Sequence, residues 1–302
     1  MIQGLRRSGT TILWETLRSV RNVKCYDEPF HPRLADGARQ NHKGTWAEFS
    51  ELLSSYPSMV PEPIQPAEEL DPVYTPAQKA WLGALCASHT PVVIDIVRGW
   101  NRTPSLHVDC GDVLNVHLVR EPASWVAAHL LPTGAPTFRR RVAGVYRRVS
   151  FFHRRGFYDN YQYQTIIDAA LEQDHPVFNH VSLSRAELSL APAYVKLLAF
   201  WWGANCTLAQ RLAAADSPQL TIALGAFSRQ PDAEIARIAE AAGWADPRAS
   251  TATVKVGRPT YAEQSPRWRA AARRLGLPET LFNTVGQDSE SLSGIFEVGG
   301  AV

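Results

Sequence analysis

Gly4-Leu5-Arg6-Arg7-Ser8-Gly9-Thr10-Thr11 has the two-glycine spacing of a phosphate-binding loop, GxxxxGK[ST], with Thr10 standing where that loop carries lysine. Ile12, Leu13, Leu17 and Val20 follow at helical spacing, so the stretch reads as a loop running into a helix. Successive backbone N–H groups at a helix N-terminus, with the hydroxyls of Ser8, Thr10 and Thr11, make an anion cradle, and Arg7 supplies a cation from within it. A nucleoside triphosphatase needs the lysine on its β- and γ-phosphates, so its loss disfavours a kinase. The plainer alternative is a Gly-Thr-Thr turn that only caps a helix.

Outward from the loop, the chain alternates strand and helix signals. Thr45 to Ser54 and Thr75 to His89 read as helices, the second with a Thr-Pro start. Between them, Tyr56 to Pro76 carries six prolines and several acids and reads as a surface loop. Val92 to Val97 and Asp112 to Val119 are short apolar, β-branched runs of the kind that form buried strands, with a candidate helix near Pro104 to Cys110 between them. Long helices are expected over Thr137 to Arg155 and Pro192 to Ala215, a last strand over Gln219 to Leu224, and a helix over Asp232 to Ala242. This order predicts an α/β fold, a three-layer sandwich with a central parallel sheet and helical insertions. One domain is expected over 1–302: a core to residue 260, then short helices and a loose glycine-rich tail over 261–302.

The bulk numbers exclude more than they assign. With 302 residues and 45% hydrophobic composition, the chain is globular. Its 31 basic and 29 acidic residues nearly cancel, so no global field points to nucleic acid or to an acidic membrane surface. No apolar run has the length of a membrane span, and MIQGLRRSGTT is no signal peptide. Cys25, Cys86, Cys110 and Cys206 stand far apart without metal-ligand spacing, which fits free thiols in a reducing cytoplasm and no metal.

Arg7-Ser8-Gly9-Thr10-Thr11 followed by Ile12-Leu13 resembles the 5′-phosphosulfate loop of sulfotransferases that use 3′-phosphoadenosine 5′-phosphosulfate, particularly the tyrosyl-protein and bacterial branches. The resemblance implies a P-loop NTPase-like fold with that nucleotide as donor. It also implies that Arg6, Arg7, Ser8, Gly9, Thr10 and Thr11 belong to the donor loop, where Arg7 meets the 5′-phosphate and the transferring group. Cys25-Tyr-Asp-Glu28-Pro is similar to the acidic turn of the tyrosyl-protein enzymes, which implies Glu28 as general base; a carboxylate near the donor can take the acceptor's proton. The alternatives are Glu28 as a turn acid or a partner for Arg33, with His31 as the second choice of base.

Val116-His-Leu-Val-Arg120-Glu-Pro122 resembles the family's strand ending in an arginine that binds the 3′-phosphate, and a strand end beside a helix start suits an anion. The family's serine eight residues later is Ala128 here, leaving Ser124 or His129 as substitutes on the same helix. Lys255-Val-Gly257-Arg258-Pro-Thr260 resembles the basic segment that closes over the nucleotide. Val92 to Val97 stands where the family strand often ends in a lysine; Arg98 can carry that charge, with Asp95 beside it, and both are expected near the acceptor. Two departures remain: only Met1 to Gln3 precede Gly4, so the first strand is shortened or a stub, and the late turn reads Ala223-Leu-Gly-Ala-Phe227 where an acidic turn is usual.

Three further features have plain readings. Arg140, Arg147 and Arg154 form a basic stripe that reads first as a solvated face. Trp201 and Trp202 read as core, and Phe157 to Tyr163 as a pocket lining or a pinned loop. The expected partner is a small-molecule acceptor, neither nucleic acid nor membrane.

Overall fold

The computed structural model describes residues 1–39, 44, 46–56, 58–59, 61–88, 90–102, 110, 112–129, 162–215, 217–244, 266–284 and 289–298. Five strands form one all-parallel sheet: β1 (Ile2–Gln3), β2 (Lys24–Asp27), β3 (Val92–Ile96), β4 (Asn115–Val119) and β5 (Gln219–Ala223). Their order is β2-β3-β1-β4-β5. The first strand is a stub of two residues, yet it takes the central position. The helices that bear on the site are α1 (Thr10–Arg18), α2 (Pro76–Cys86), α3 (Pro122–His129), α4 (Tyr163–Glu172), α5 (Ala193–Ala214), α6 (Pro231–Ala241) and α7 (Ser289–Val298).

Alternation along the strands separates two covered faces. Ile2, Cys25, Val93, Val116, Leu118 and Ile222 pack with Leu13, Trp14 and Leu17 of α1 and with Ile235 and Ile238 of α6. On the opposite face, Tyr26, Ile94 and Ile96 pack with Trp81, Leu82 and Leu85 of α2. Val119 and Ala223 on that face join a larger cluster built from α3, α4, α5 and α7, in which Trp201 and Trp202 are buried as expected. Helices, sheet and helices thus make three layers. A short polar chain runs across the second face: Gln3 Nε2 donates to Asn115 Oδ1 at 2.8 Å, and Asn115 Nδ2 to Ser217 Oγ at 3.0 Å.

Several boundaries follow from local chemistry. Thr75 starts α2 with a reciprocal cap: its Oγ1 accepts from the Gln78 amide at 3.2 Å, while the Gln78 side chain accepts from the Thr75 amide at 3.1 Å. Pro76 at the first helical position needs no donor there.

Two expectations are corrected. Tyr56 to Pro76 is not a plain surface loop, because Ile64, Glu69, Leu70 and Tyr74 are buried and the 3-10 turn Ala67–Leu70 plugs into the core under the first loop. The four cysteines are not all free thiols either. Cys86 and Cys110 form a disulfide with Cα atoms 5.5 Å apart, while Cys25 and Cys206 stay reduced and buried. Bridges of this kind persist in oxidising compartments, so the cysteines give no support to a cytoplasmic setting. The helices expected near Pro104 and over Thr137 to Arg155, with the arginine stripe, lie outside the described residues, as does Phe157 to Tyr161. Among the described residues, no helix is long and apolar enough to cross a membrane.

Candidate functional site

The chain leaves β1 toward β2 on one side and leaves β4 toward β5 on the other, so the strand order reverses between these two neighbours. In parallel sheets, ligands bind beyond the carboxyl ends of strands at such a reversal. Here the two exits are the Gly4 to Gly9 loop and Arg120-Glu121.

Close approach shapes the loop. A Cβ on Gly4 would lie 2.7 Å from the Leu118 carbonyl oxygen of β4, so only glycine fits where the loop leaves the sheet. Gly9, at φ 94°, caps α1 in the left-handed region, and its carbonyl accepts the Ile12 and Leu13 amides. No side chain caps the helix and no acid sits in its first turn, leaving its positive end open to an anion. Arg7 also has a left-handed backbone, at φ 72°, and its side chain is exposed. The loop's carbonyls are turned to protein donors: Leu5 accepts from the Ser8 amide, Arg6 from Trp125 Nε1 at 2.9 Å, and Arg7 from Arg120 Nη1 at 2.9 Å.

The two adjacent arginines therefore separate. Arg7 faces outward, whereas Arg6, expected among the donor contacts, is buried beneath the loop. Its guanidinium sits over the Tyr163 ring and pairs with the fully buried Glu69. Ser8 and Thr10 are buried as well, and Thr11 is half-buried.

Glu28 follows β2 directly and has φ 46°, a second left-handed non-glycine residue at the same edge of the sheet. Such conformations cost about 1–3 kcal/mol each and concentrate at functional sites. Its amide donates to the Asp95 carbonyl at 3.1 Å, and its carboxylate accepts from Arg98 Nε at 3.3 Å. Its ionic partner is thus Arg98 and not Arg33. Arg98 also reaches Glu69, with Nη1 3.5 Å from Oε1. His31 is tied up locally: its Nδ1 accepts from the Arg33 amide at 3.1 Å and its ring lies 5.0 Å from that of Trp46. Burial first of all lowers its pKa.

Beneath α1, Asp27 of β2 and Asp95 of β3 are partners in register. Both are buried, and burial pushes Asp27 up to about 7 and Asp95 well above the ordinary carboxylate value, each reinforced by neighbouring carboxylates. Burial and like charge together favour the protonated form of the pair. Full burial under Thr10 keeps Asp95 from direct contact with an acceptor.

Across the reversal point, Ser124 is buried and its hydroxyl has no hydrogen-bond partner among the described residues. His129 turns inward between Trp125 and Tyr163, its Nε2 3.3 Å from the Arg6 carbonyl, so it braces the loop. Lys255, Gly257 and Arg258 lie outside the described residues.

The structure thus brings Arg7, Glu28, Arg98 and Arg120 to one edge of the sheet. Glu69 escaped the sequence reading. Its signal was the apolar Ile64, Leu70 and Tyr74 around it, which mark a segment that packs inward. A cavity of about 490 Å³ opens at the other end of the strands, lined by Pro91, Val92, Leu114, Pro218 and Trp244, and touches none of these residues. Among the described residues, no cluster of three or more His, Cys, Asp or Glu side chains is arranged to hold a metal ion. Compared with known proteins, the chain matches no family model, no curated protein and no solved structure.

Proposed function

We propose that the chain is a sulfotransferase that moves a sulfuryl group from 3′-phosphoadenosine 5′-phosphosulfate to the hydroxyl of a small-molecule acceptor. The observation that carries the reading is the meeting of Arg120 with the Arg7 carbonyl, which joins the arginine-bearing ends of two neighbouring strands. A donor with two separated anionic groups suits two such arginines. Arg7 and the amides at the start of α1 hold the 5′-phosphate and oppose the charge that grows on the sulfuryl oxygens and the leaving phosphate. Arg120 takes the 3′-phosphate, and the unpartnered Ser124 hydroxyl on the following helix is the helper we assign in place of the serine that Ala128 replaces. Glu28 takes the acceptor's proton as the acceptor oxygen bonds to sulfur, while the bond from sulfur to the phosphate oxygen breaks and its electron pair leaves with adenosine 3′,5′-bisphosphate.

Calorimetry with adenosine 3′,5′-bisphosphate beside ATP and magnesium tests the reading. Strong binding of the bisphosphate and weak binding of ATP is expected. The opposite ranking replaces it with a small-molecule phosphotransferase, and bisphosphate binding without transfer to any hydroxyl leaves a nucleotide-binding module.

A further inference from the structure

Glu69 lies fully buried in the 3-10 turn Ala67–Leu70, and the reaction proposed above gives it no part. Its Oε1 takes two guanidinium groups: Nη1 of Arg6, from the anion loop, and Nη1 of Arg98, at 3.5 Å. The other end of Arg98 gives Nε to Glu28 Oε2 at 3.3 Å. One guanidinium is thus divided between two carboxylates. Its contact with Glu28 is a single long hydrogen bond, not the two-pronged pair that arginine readily forms with a carboxylate. A two-pronged pair would favour the charged form of Glu28 and weaken it as a base.

We infer that Glu69 is a positioning residue for the transfer reaction: by holding the far end of Arg98, it keeps Glu28 able to take the acceptor's proton. The inference rests on the sulfotransferase reading above, in which Glu28 is the base. Burial pushes Glu69 up to about 7, against the pull of Arg6 and Arg98. Above that pH its charge holds Arg98; below it the hold is lost and Arg98 is free to close on Glu28. The other titratable groups facing Glu28 are Asp27 on β2, Asp95 on β3, and His31 on the following turn.

The test compares turnover between about pH 6 and about pH 8.5 for the unaltered chain and Glu69→Gln, using acceptors whose hydroxyls keep their proton over that range. The donor is 3′-phosphoadenosine 5′-phosphosulfate, and the acceptor probes are phenol, a tyrosyl peptide and a hexose. The unaltered chain is expected to gain about 10-fold in kcat across neutral pH, whereas Glu69→Gln runs flat at the low-pH rate and binds adenosine 3′,5′-bisphosphate within about 3-fold of normal.

A rise that survives in Glu69→Gln belongs to Asp27, Asp95 or His31 and overturns the inference. So does an equal loss at every pH, which is what a purely structural role gives. If Glu69→Gln does not fold, Arg98→Lys takes its place: an ammonium cannot span both carboxylates, so a neutral-pH rise that persists there overturns the inference too. Failure of the unaltered chain to sulfate any of the three probes is a different result. It removes the sulfotransferase reading, and the inference falls with it.

Discussion

Arg120 and Arg7 are separated by 113 residues, yet the guanidinium of one donates to the carbonyl of the other at 2.9 Å. The bond ties the end of β4 to the loop after β1 and occupies the Arg7 carbonyl. Arg120→Ala is expected chiefly to raise the donor KM, since the contact proposed for it lies at the 3′-phosphate, away from the transferring group. Arg7→Ala is expected to lower kcat by roughly 10²–10³-fold, as for removal of a group that meets charge developing in the transition state. Steady-state kinetics decides, and equal losses in both parameters from both variants would sink the assignment.

Glu28 and His31 stand three residues apart with unequal commitments. Glu28→Gln, which keeps size and hydrogen bonding, should lower turnover by roughly 10²–10⁴-fold while donor affinity holds. His31, bonded through Nδ1 to the Arg33 amide, should tolerate asparagine with a loss of less than about 5-fold. An inactive His31→Asn beside a near-normal Glu28→Gln would transfer the role to the histidine.

The Asp27–Asp95 pair makes stability depend on pH. Both carboxyls titrate higher in the folded chain than in the unfolded one, so the folded state binds more protons over the interval between. Their contribution is fully present below the unfolded value and is lost as pH rises through the folded one. For Asp27 that interval runs from 3.8 to about 7. At about 1.4 kcal/mol per pH unit, Asp27 alone accounts for a loss of roughly 4 kcal/mol. Thermal melts should therefore show Tm falling as pH rises from about 4 to about 7, and Asp27→Asn should flatten that fall. A melt that is flat in the unaltered chain contradicts the buried pair.

Gly4 and Gly83 predict opposite responses to alanine. A Cβ on Gly4 meets the Leu118 carbonyl at 2.7 Å, and backbone cannot swing aside, so Gly4→Ala should cost about 1–3 kcal/mol in denaturant titrations. Gly83, inside α2 with nothing within 4 Å of its Cβ position, should gain about 0.5–1 kcal/mol as alanine. A neutral Gly4→Ala would mean that β1 and β4 are not this close.

Much of this layout was legible before any coordinates. β3, β4 and β5 announce themselves as short β-branched runs, and the Gly4 to Thr11 spacing places a loop before α1. Edge strand β2 was hidden, because Lys24-Cys-Tyr-Asp27 offers only two apolar residues, one to each covered face, between two charged ones. Which of Arg6 and Arg7 is buried and which exposed is set by the left-handed turn at Arg7 and by a carboxylate some sixty residues away, neither of which local pattern reveals. Glu69 was masked by its prolines: a segment that cannot form regular structure can still be buried when its few polar groups find partners. The Cys86–Cys110 bridge joins residues 24 apart in sequence, and spacing alone cannot pair cysteines.

The Gln3–Asn115–Ser217 chain bears on how the sheet is assembled. Its members come from β1, from β4 and from the turn before β5, which meet only after long stretches of chain have been brought together, the slow part of building a parallel sheet. The chain is satisfied in one alignment alone. A strand slipped by one residue would bury an amide without a partner, at about 1–3 kcal/mol for each stranded group. Misaligned forms are thereby raised in energy while they are still forming, so these three small polar side chains act as a proofreading step in folding.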